Sequence, residues 1–498
     1  MGITIDRIWA HYPSEKSGEI TYDDIKINYS EACGIINGVV KFLNKKEIGK
    51  DSIVTVIDYN TLDHYILHNA IPMSGAIINS MNIRLTASNI KKIIEEIDPD
   101  LIFINQDLLD SLSDVIEGRE SIVIDGRWSY TNFKNNSDTV NYDYLDENQP
   151  AQLLLTAGTT GHPKGVLYSH KQVIEAIWSI SSLLSSYEGP AKLTNSDNAM
   201  AIVPMHNMFG WGMVYIPQLI GCDLILGGKF NPVNTVKTIE KSKVTWINAV
   251  PPIANLILSA NHNGLSGIKI LLGGSYISEK LKKQILDMHM EFASIYGSSD
   301  GLIAGIGRVN RSESVKPLEE IEEIIRNSVN LAPFASVRIE KLGGSDYGKI
   351  YFKAPWLPDK YYLYDRGNYK KGWFHTGDIG KITQDGRLTI MDREDDLIKS
   401  GGEWIPSATV ENFILNFPGM TQCAVIGLED PKWEEKPVAV INNGVDKYKL
   451  LDYLNSLSDE KKIEKWWVPE EVFNIDEFPM TGDGKIDKNQ LKLIILNK

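Results

Sequence analysis

The chain has 498 residues, 43% of them hydrophobic, and its 65 acidic and 51 basic side chains give a formal net charge of −14. This length exceeds what one compact core holds, so we expect at least two domains. The negative charge argues against a nucleic-acid partner, because binding a phosphate backbone needs many lysines and arginines. The cysteines Cys33, Cys222 and Cys423 match no zinc-site spacing and predict core residues of a reducing compartment.

The first residues and the hydropathy pattern predict a cytoplasmic protein. The N-terminal sequence MGITIDRIW lacks the basic and apolar regions of a signal peptide. No apolar run approaches the length of about 18 residues that a membrane span requires.

The first 130 residues alternate short apolar runs with helical patterns. Residues 52–57 and 101–105 predict buried strands, and residues 90–97 predict an amphipathic helix between them. This alternation predicts a mainly parallel sheet that is covered by helices.

The segment LTAGTTGHPKG, residues 155–165, predicts a phosphate-binding loop between two strands. Apolar residues 153–155 precede it and apolar residues 166–168 follow it. Its glycines let a ligand approach the backbone, and its threonines and lysine supply donors for an anion. It differs from the P-loop of NTPases in its spacing and in lacking the Lys-Ser/Thr ending.

The pattern after this loop continues the α/β alternation. Ser169 is a predicted N-cap for a helix whose apolar positions begin at Val173. Strands are predicted at residues 199–203, 223–226, 244–250 and 268–272. Each ends near proline or glycine, and ligands gather at such strand ends in open α/β sheets.

The pattern changes after about residue 336. Short strands are predicted at residues 337–339, 349–352 and 387–391, with hairpin signals at Gly343–Gly344 and Asp385–Gly386. A charged run at residues 392–396 then precedes a last segment of about a hundred residues. Strands at 423–427, 438–441 and 472–475 and a helix near 450–457 predict a small α+β domain there.

Six motifs resemble, in order and spacing, those of the adenylate-forming superfamily of acyl-CoA synthetases, luciferases and peptide-synthetase adenylation domains. They are TAGTTGHPKG at 156–165, GGS at 273–275, YGSSDG at 296–301, GWFHTGD at 372–378, DREDDLIKSGGEWI at 392–405 and PMTGDGKIDKNQL at 479–491. Residues 75–90, 398–412 and 429–437 resemble the medium- and long-chain fatty acyl-CoA synthetase branch.

The resemblance implies an α/β fold in two parts. Residues 1–392 would form a large N-terminal domain of helix-covered mixed sheets with a β-rich subdomain, and residues 393–498 a small mobile α+β domain. The implied activity is that of an AMP-forming acid:CoA ligase for a fatty or medium-chain acid. It uses ATP, Mg²⁺ and coenzyme A and passes through acyl-AMP. Homodimerisation is possible by the same resemblance.

The resemblance also assigns a nucleotide site. Thr159, Thr160, Gly161 and Lys164 would hold the β- and γ-phosphates, and Thr156 and Asp300 would lie at Mg²⁺. Asp300 stands where the family usually has glutamate, and Ser299 where it has threonine. The remaining ATP- and AMP-binding positions are Gly274, Ser275, Tyr296, Gly297, Ser299, Asp378, Arg393 and Lys399. The Asp378 carboxylate could accept hydrogen bonds from both ribose hydroxyls.

Lys485 is the implied catalytic lysine, which would bridge the acid and the α-phosphate, and Lys164 would hold the leaving pyrophosphate. Asp395 matches the hinge of the C-terminal domain. Rotation there would move Lys485 away from the site. It would bring the CoA-binding residues Ser400, Gly401, Gly402 and Trp404 to the tunnel that receives the pantetheine arm of CoA, and Trp404 would stack on the CoA adenine.

The acyl pocket is implied at Asn207, Met208, Trp211 and Val250. Without a gap, Asn207 falls on the family's usual histidine, and His206 lies one position earlier. Ordinary core packing explains the Met208 and Trp211 cluster equally well. Two alternatives remain open from sequence: an adenylation enzyme that loads a carrier protein, and an inactive relative that binds acyl groups or nucleotides.

Overall fold

The computed structural model describes residues 2–9, 18–156, 164–260, 264–309, 313, 316–343, 345–358, 361–362, 368–442, 444–480 and 486–497, with Thr156 and Lys164 described by their backbone only. These residues divide into two compact units. The first comprises residues 1–275, 285–336 and 352–374, and the second comprises residues 276–284, 337–351 and 375–498.

The helices of the described residues follow in chain order. They are α1 (Asp6–Trp9), α2 (Tyr29–Lys45), α3 (Leu62–Met73), α4 (Ala87–Ile97), α5 (Gln106–Ile116), α6 (Trp128–Phe133), α7 (His170–Ser186), α8 (Met208–Ile220), α9 (Pro232–Lys241), α10 (Pro251–Ala260), α11 (Glu279–Asp287), α12 (Leu318–Ile325), α13 (Ser407–Leu415), α14 (Lys447–Asp459) and α15 (Lys488–Leu496). Two 3-10 helices span Glu394–Asp396 and Lys465–Trp467.

The strands of the same residues are β1 (Glu19–Tyr22), β2 (Ile25–Asn28), β3 (Ile53–Ile57), β4 (Ile77–Ser80), β5 (Leu101–Asn105), β6 (Ser121–Ile124), β7 (Pro150–Thr156), β8 (Lys164–Ser169), β9 (Asn198–Ala201), β10 (Asp223–Leu226), β11 (Trp246–Ala249), β12 (Lys269–Gly273), β13 (Glu291–Ser298), β14 (Leu302–Ile306), β15 (Ser328–Leu331), β16 (Ser336–Lys341), β17 (Gly348–Lys353), β18 (Tyr369–Lys370), β19 (Trp373–Ile382), β20 (Leu388–Arg393), β21 (Ile398–Ser400), β22 (Glu403–Ile405), β23 (Cys423–Asp430), β24 (Glu434–Asn442) and β25 (Glu471–Ile475).

One sheet of the first unit has the order β6-β5-β3-β4-β7-β8. Its first five strands run parallel, and β8 is antiparallel to β7. Strands β3, β4 and β5 are buried at every position, as expected for parallel strands with both faces covered. Helix α4 buries Ile90, Ile93, Ile94 and Ile97 on one face, and the Thr86 side chain caps its first turn.

A second sheet in this unit runs in the order β2-β1-β10-β9-β11-β12-β13-β14-β15. Its central strands, from β1 through β13, pair in parallel, whereas β14 and β15 pair antiparallel. Parallel order ending in antiparallel edge strands is common in large α/β folds. The carboxyl ends of β12 and β13 therefore carry Gly273 and the segment from Tyr296 to Ser298.

The second unit holds strands β16, β17, β19 and β20 side by side and a five-stranded sheet in which β22, β21, β24 and β23 are neighbours and β25 joins β24. Helices α13, α14 and α15 belong to the same unit. Two apolar clusters form the core of this five-stranded sheet. One centres on Val410, Val425 and Leu450, and the other on Ile426, Val440 and Leu491. The expected small α+β arrangement is present.

A buried polar chain links α3, β4 and β7 in the first unit. His64 Nδ1 lies 2.9 Å from the Tyr59 carbonyl and its Nε2 lies 3.0 Å from Ser80 Oγ. His68 Nδ1 is 3.5 Å from the same hydroxyl, and Gln152 Nε2 is 3.3 Å from His68 Nε2. Since a carbonyl only accepts, His64 carries its proton on Nδ1. Burial lowers the pKa of His64 to about 4 and that of His68 well below its usual value, so both rings are neutral.

The α/β fold class is confirmed, and the predicted strands and helices form with shifted ends. Strands β5 and β10 have their predicted bounds, and Ser169 caps α7 with a capping box. All three cysteines are free. Cys222 and Cys423 are buried as expected, whereas Cys33 is half-buried, and burial raises the pKa of each thiol. Within the described ranges, no helix is both long and apolar enough to cross a membrane.

Candidate active site

The predicted phosphate loop begins and ends on paired strands of the first unit. Strands β7 and β8 place Thr156 opposite Lys164, so the two ends of the loop lie side by side. The Tyr362 N–H donates to the Gly165 carbonyl at 2.7 Å beside this pair. Thr159, Thr160 and Gly161 lie outside the described residues, as do the side chains of Thr156 and Lys164 and the whole of Lys485.

Three aromatic donors hold the turn between β13 and β14. The Tyr168 hydroxyl donates to the Ser299 carbonyl at 2.7 Å, the Tyr369 hydroxyl to the Asp300 carbonyl at 2.5 Å, and the Trp356 indole N–H to the Gly301 carbonyl at 3.2 Å. Burial raises the pKa of both phenols, so they remain protonated donors. We call Tyr168, Trp356 and Tyr369 the aromatic clamp. It fixes three consecutive carbonyls of the YGSSDG motif.

The Asp300 carboxylate has a separate partner. Its Oδ2 accepts a hydrogen bond of 2.7 Å from the Tyr361 hydroxyl, and this hydroxyl accepts one of 3.3 Å from Asn368 Nδ2. Tyr361 is buried, and its ring centroid lies 5.1 Å from that of Tyr369. Among the described residues, Asp300 Oδ1 has no hydrogen bond. Tyr296 and Gly297 precede this turn at a register shift in the pairing of β13 with β14, which is a place where side chains are re-aimed.

The GGS segment packs closely against a residue from the predicted acyl pocket. Gly274 has a φ of +86°, and a Cβ at this position would lie 3.1 Å from Val250 Cγ1. A Cβ on Gly273 would lie 3.6 Å from the Phe209 ring. Glycine is therefore favoured at 274 both by backbone conformation and by space. Gly273 thus lies near Phe209 and Gly274 near Val250, and Ser275 follows directly in the chain.

Helix α8 carries the other acyl candidates. Asn207 is its N-cap, with Oδ1 accepting from the Phe209 N–H at 3.0 Å. Met208 and Trp211 are buried, and the Trp211 ring meets Tyr215 edge-on at 5.7 Å. The Trp211 indole N–H has no hydrogen-bond partner within the described part of the chain. Burial lowers the pKa of the neighbouring His206 to about 3 and so keeps it neutral.

In the second unit, Asp378 and Arg393 are direct partners on β19 and β20. Arg393 Nη1 lies 3.1 Å from Asp378 Oδ1, and the side chains are 57% and 7% exposed. The backbone N–H of Asp378 donates to Thr376 Oγ1 at 3.1 Å, and this hydrogen bond fixes the backbone of Asp378. A nearly buried carboxylate next to a half-exposed guanidinium can accept a hydrogen bond from a ligand hydroxyl.

The predicted hinge residue Asp395 lies within the 3-10 helix Glu394–Asp396, which directly follows β20. Glu394 at the start of this turn forms an ion pair with Lys349 on β17. The residues that flank Asp395 are thus held by strand pairing on one side and continue into β21 on the other.

The predicted CoA segment forms a tight hairpin. Gly401 and Gly402 have φ values of +60° and +86° between β21 and β22, which matches the two-residue hairpin turn that needs positive φ at both positions. A Cβ on Gly401 would lie 2.9 Å from the Trp433 ring. Lys399 pairs with Glu434 at 2.8 Å, and its Nζ lies 6.0 Å from the Trp404 ring centroid. Ser400 pairs with Glu403 across the hairpin.

A buried ion cluster lies close to the segment that carries Lys485. Met480 and Ile486 form an isolated bridge, so both flanks of residues 481–485 are anchored. Two residues further on, Lys488 Nζ lies 2.6 Å from Glu411 Oε1 and donates to Ser407 Oγ at 2.7 Å. The Ser407 hydroxyl donates in turn to Asp392 Oδ2 at 3.0 Å. Asp392 directly precedes Arg393, so the cluster connects α15 to the end of β20.

The side chain of Asp300 fits a magnesium-linked role. Mg²⁺ in nucleotide sites is usually held by one or two carboxylates together with phosphate oxygens and water. Asp300 offers one oxygen that lacks a hydrogen bond among the described residues, on a turn fixed by the aromatic clamp. The described ranges contain no group of three or more His, Cys, Asp or Glu side chains arranged to hold a metal.

Sequence reasoning missed Tyr361, Trp433 and Lys488. Tyr361 and Trp433 are ordinary aromatic residues in sequence, and their contacts with Asp300 and Gly401 appear only in the fold. Lys488 carried a signal, because it follows Lys485 at the start of a helical pattern that Asp487 caps.

The fold and the motif set define an adenylate-forming enzyme. Residues 7–362 match the model of the AMP-binding enzymes, and residues 409–485 match that of the AMP-binding enzyme C-terminal domain. Because the first match covers more than half of the chain, the protein belongs to the AMP-binding enzyme family. The resemblance seen in the sequence is thereby confirmed.

Two curated relatives and one solved structure illustrate this membership. The chain is 28% identical to the 3-methylmercaptopropionyl-CoA ligase of Ruegeria lacuscaerulensis, over 96% of this chain and 93% of the relative. It is 25% identical to the medium-chain-fatty-acid–CoA ligase of Ectopseudomonas oleovorans, over 96% and 91%. The o-succinylbenzoate coenzyme A synthetase of Bacillus subtilis, solved with ATP and a magnesium ion, has the same fold, with a TM-score of 0.81, 20% identity and 99% of both chains covered.

Proposed function

We propose that this protein is an AMP-forming acid:CoA ligase that acts on a fatty acid, with medium-chain acids as the first candidates. The supporting observation is that all six motifs of the adenylate-forming enzymes occur in one chain of that family. Among the described motif residues, the first unit holds the carboxylate of Asp300, bound by Tyr361, and the second unit holds the carboxylate of Asp378, paired with Arg393. The proposed activity comprises two half-reactions.

In the first half-reaction, a carboxylate oxygen of the acid attacks the α-phosphorus of ATP. The bond from this phosphorus to the β-phosphate oxygen breaks, and acyl-AMP and pyrophosphate result. Lys164, Thr159, Thr160 and Gly161 hold the leaving pyrophosphate. Lys485 provides positive charge where the acid and the α-phosphate meet, because positioning and electrostatic stabilisation dominate phosphoryl-group chemistry.

The bound nucleotide is held at its two ends. Asp378 accepts hydrogen bonds from the ribose hydroxyls, and Arg393 orients that carboxylate. Gly274, Ser275, Tyr296 and Gly297 contact the adenosine. Mg²⁺, when bound at Thr156 and Asp300, supplies charge neutralisation to the phosphates.

In the second half-reaction, the CoA sulfur attacks the acyl carbon, the bond to the AMP oxygen breaks, and the thiol proton passes to solvent. Rotation of the C-terminal residues about Asp395 precedes this step. It replaces Lys485 by the hairpin of Ser400, Gly401 and Gly402, where the absence of Cβ atoms permits close approach of a thiol arm. Trp404 stacks on the CoA adenine.

The proposed acid class rests on a proposed apolar pocket. Its lining would come from Phe209 and Val250, which lie near Gly273 and Gly274, and from Met208 and Trp211 on helix α8. Such a pocket favours an alkyl chain, since each buried methylene contributes about 0.8 kcal/mol. The medium-chain fatty acid ligase among the relatives supports this choice.

The decisive experiment measures pyrophosphate release with ATP and a panel of acids from acetate to palmitate, including hydroxy and aryl acids, with and without CoA. A medium-chain maximum with CoA-dependent AMP release supports the proposal. AMP release that needs a carrier protein instead of CoA identifies a carrier-loading enzyme. Wild-type protein that binds ATP but releases no pyrophosphate with any acid of the panel is an inactive relative, and this result overturns the proposal.

A further inference from the structure

We infer that Tyr361 is a positioning residue that sets how Asp300 serves the metal-bound nucleotide. This inference rests on the proposed function, since it takes Asp300 as the magnesium-linked carboxylate. Two tyrosines converge on Asp300, and they bind different atoms of it. Tyr361 donates to the carboxylate oxygen Oδ2, whereas Tyr369 donates to the backbone carbonyl.

The side chain at 300 is shorter by one methylene than the glutamate usual in this motif. A shorter carboxylate reaches less far, so its orientation matters more. The Tyr361 hydroxyl occupies Oδ2 and leaves Oδ1 as the oxygen that has no hydrogen bond among the described residues. A carboxylate held in this way offers a single oxygen, either to the ion or to a water bound to it, which agrees with the small number of carboxylates that Mg²⁺ sites use.

The Tyr361 hydroxyl is itself held in place. Asn368 Nδ2 donates to it at 3.3 Å, so its own proton points to Asp300. The ring is buried at 3% exposure and packs at a tilt against the Tyr369 ring, with 5.1 Å between centroids. Hydrogen-bond partners that orient a metal-linked carboxylate typically change metal affinity 10- to 100-fold when they are removed.

Tyr369 provides a matched control. It is also a phenol that donates to Asp300, but it is half-buried and fixes the backbone of the turn. Tyr361→Phe should therefore change the dependence of nucleotide binding on metal, and Tyr369→Phe should change nucleotide binding with little change in that dependence. Both variants remove one hydroxyl from a ring, and thermal melting compares their costs in folding.

The test is equilibrium binding of a fluorescent ATP analogue, titrated with MgCl₂ against an EDTA baseline, with thermal melting to confirm that each variant folds. We expect Tyr361→Phe to raise the Mg²⁺ concentration for half-maximal enhancement about 10- to 100-fold, and Tyr369→Phe to raise it less than about 3-fold. In an Asp300→Asn background, Tyr361→Phe should add nothing.

Equal shifts for the two tyrosine variants overturn the inference, as does a Tyr361→Phe effect that persists in Asp300→Asn. If neither tyrosine variant folds, Asn368→Asp supplies the readout. It places a second acceptor on the Tyr361 hydroxyl, which should draw its proton from Asp300 and weaken the Mg²⁺ enhancement, and an unchanged enhancement overturns the inference. Because binding needs no turnover, these results stay separate from the acid panel, whose failure would leave the metal dependence of ATP binding intact.

Discussion

Asp378 and Arg393 face each other across β19 and β20, and Arg393 Nη1 lies 3.1 Å from Asp378 Oδ1. These two residues come from separate motifs of the sequence, GWFHTGD and DREDDLIKSGGEWI. The strand pairing makes them one structural unit, in which a nearly buried carboxylate is aligned by a more exposed cation. A change at either residue should therefore act on nucleotide binding through the same pair.

Asp378→Ala should weaken ATP binding, because it removes the proposed carboxylate acceptor for the ribose hydroxyls. Hydrogen bonds to charged groups contribute about 1.5–3 kcal/mol, so we expect a rise in the Kd for ATP of about 10- to 150-fold. Asp346→Ala is the control, since this exposed carboxylate pairs only with Lys381 at the surface in the described residues. Similar Kd values for wild type and Asp378→Ala would contradict the ribose role.

Lys485→Ala should abolish the first half-reaction and spare the second. Removing a charge-stabilising contact costs on the order of 10²-fold in rate or more. Pyrophosphate exchange measures adenylation, and CoA transfer from synthetic acyl-AMP measures the second step. Equal losses in both assays would show that Lys485 acts on folding or on general binding.

Asp395→Pro should slow thioester formation more than adenylation, since proline fixes φ within the proposed hinge. Asp395→Ala is the matched variant, because it removes the same carboxylate and keeps the backbone free. Single-turnover measurements of each step separate these effects. The hinge assignment fails if the proline and alanine variants behave alike.

Lys488→Met should destabilise the second unit. Lys488 is 14% exposed and Glu411 is 19% exposed, and the lysine also faces Asp392 through Ser407. Removing one partner of a buried ion pair typically costs about 3–5 kcal/mol, because a charge is left uncompensated. Urea unfolding should show this loss, and Lys488→Met with Glu411→Met should recover part of it.

Stability should depend on pH through the buried histidine chain. Burial lowers the pKa of His64 to about 4, whereas an unfolded histidine titrates near 6.5. The unfolded state therefore binds more protons between these values, and this contribution to stability is lost as pH falls from about 6.5 towards 4. The expected slope contributed by His64 alone is at most about 1.4 kcal/mol per pH unit. In urea unfolding at a series of pH values, His64→Gln should reduce the dependence of the unfolding free energy on pH, whereas replacing the exposed His289 should leave that dependence unchanged.

Sequence and structure agree best where one apolar run determines one element. Strand β5 forms at its predicted bounds because an uninterrupted apolar run is buried on both faces. The ends of a strand are less predictable where pairing with a neighbouring strand determines them. Strand β16, for example, extends beyond the predicted residues 337–339 in both directions.

The residues of the candidate site could be predicted from sequence only where they belong to one contiguous motif. The aromatic clamp was not predictable, because Tyr168, Trp356 and Tyr369 are far apart in the chain and bind backbone carbonyls, which no sequence letter specifies. The role of Asn207 was likewise not predictable from the motif. The sequence match places Asn207 at the family's usual histidine position, whereas the structure shows that its side-chain oxygen caps α8.

The three thiols have a practical consequence for following the reaction. Two are buried, the third is half-buried, and all have pKa values raised above that of an exposed thiol, so each is a poor nucleophile towards maleimides. Cysteines introduced at exposed positions, one in each unit, should take up dyes selectively on the native background. Energy transfer between such dyes would then test whether the proposed C-terminal movement falls between adenylation and thioester formation within a single turnover.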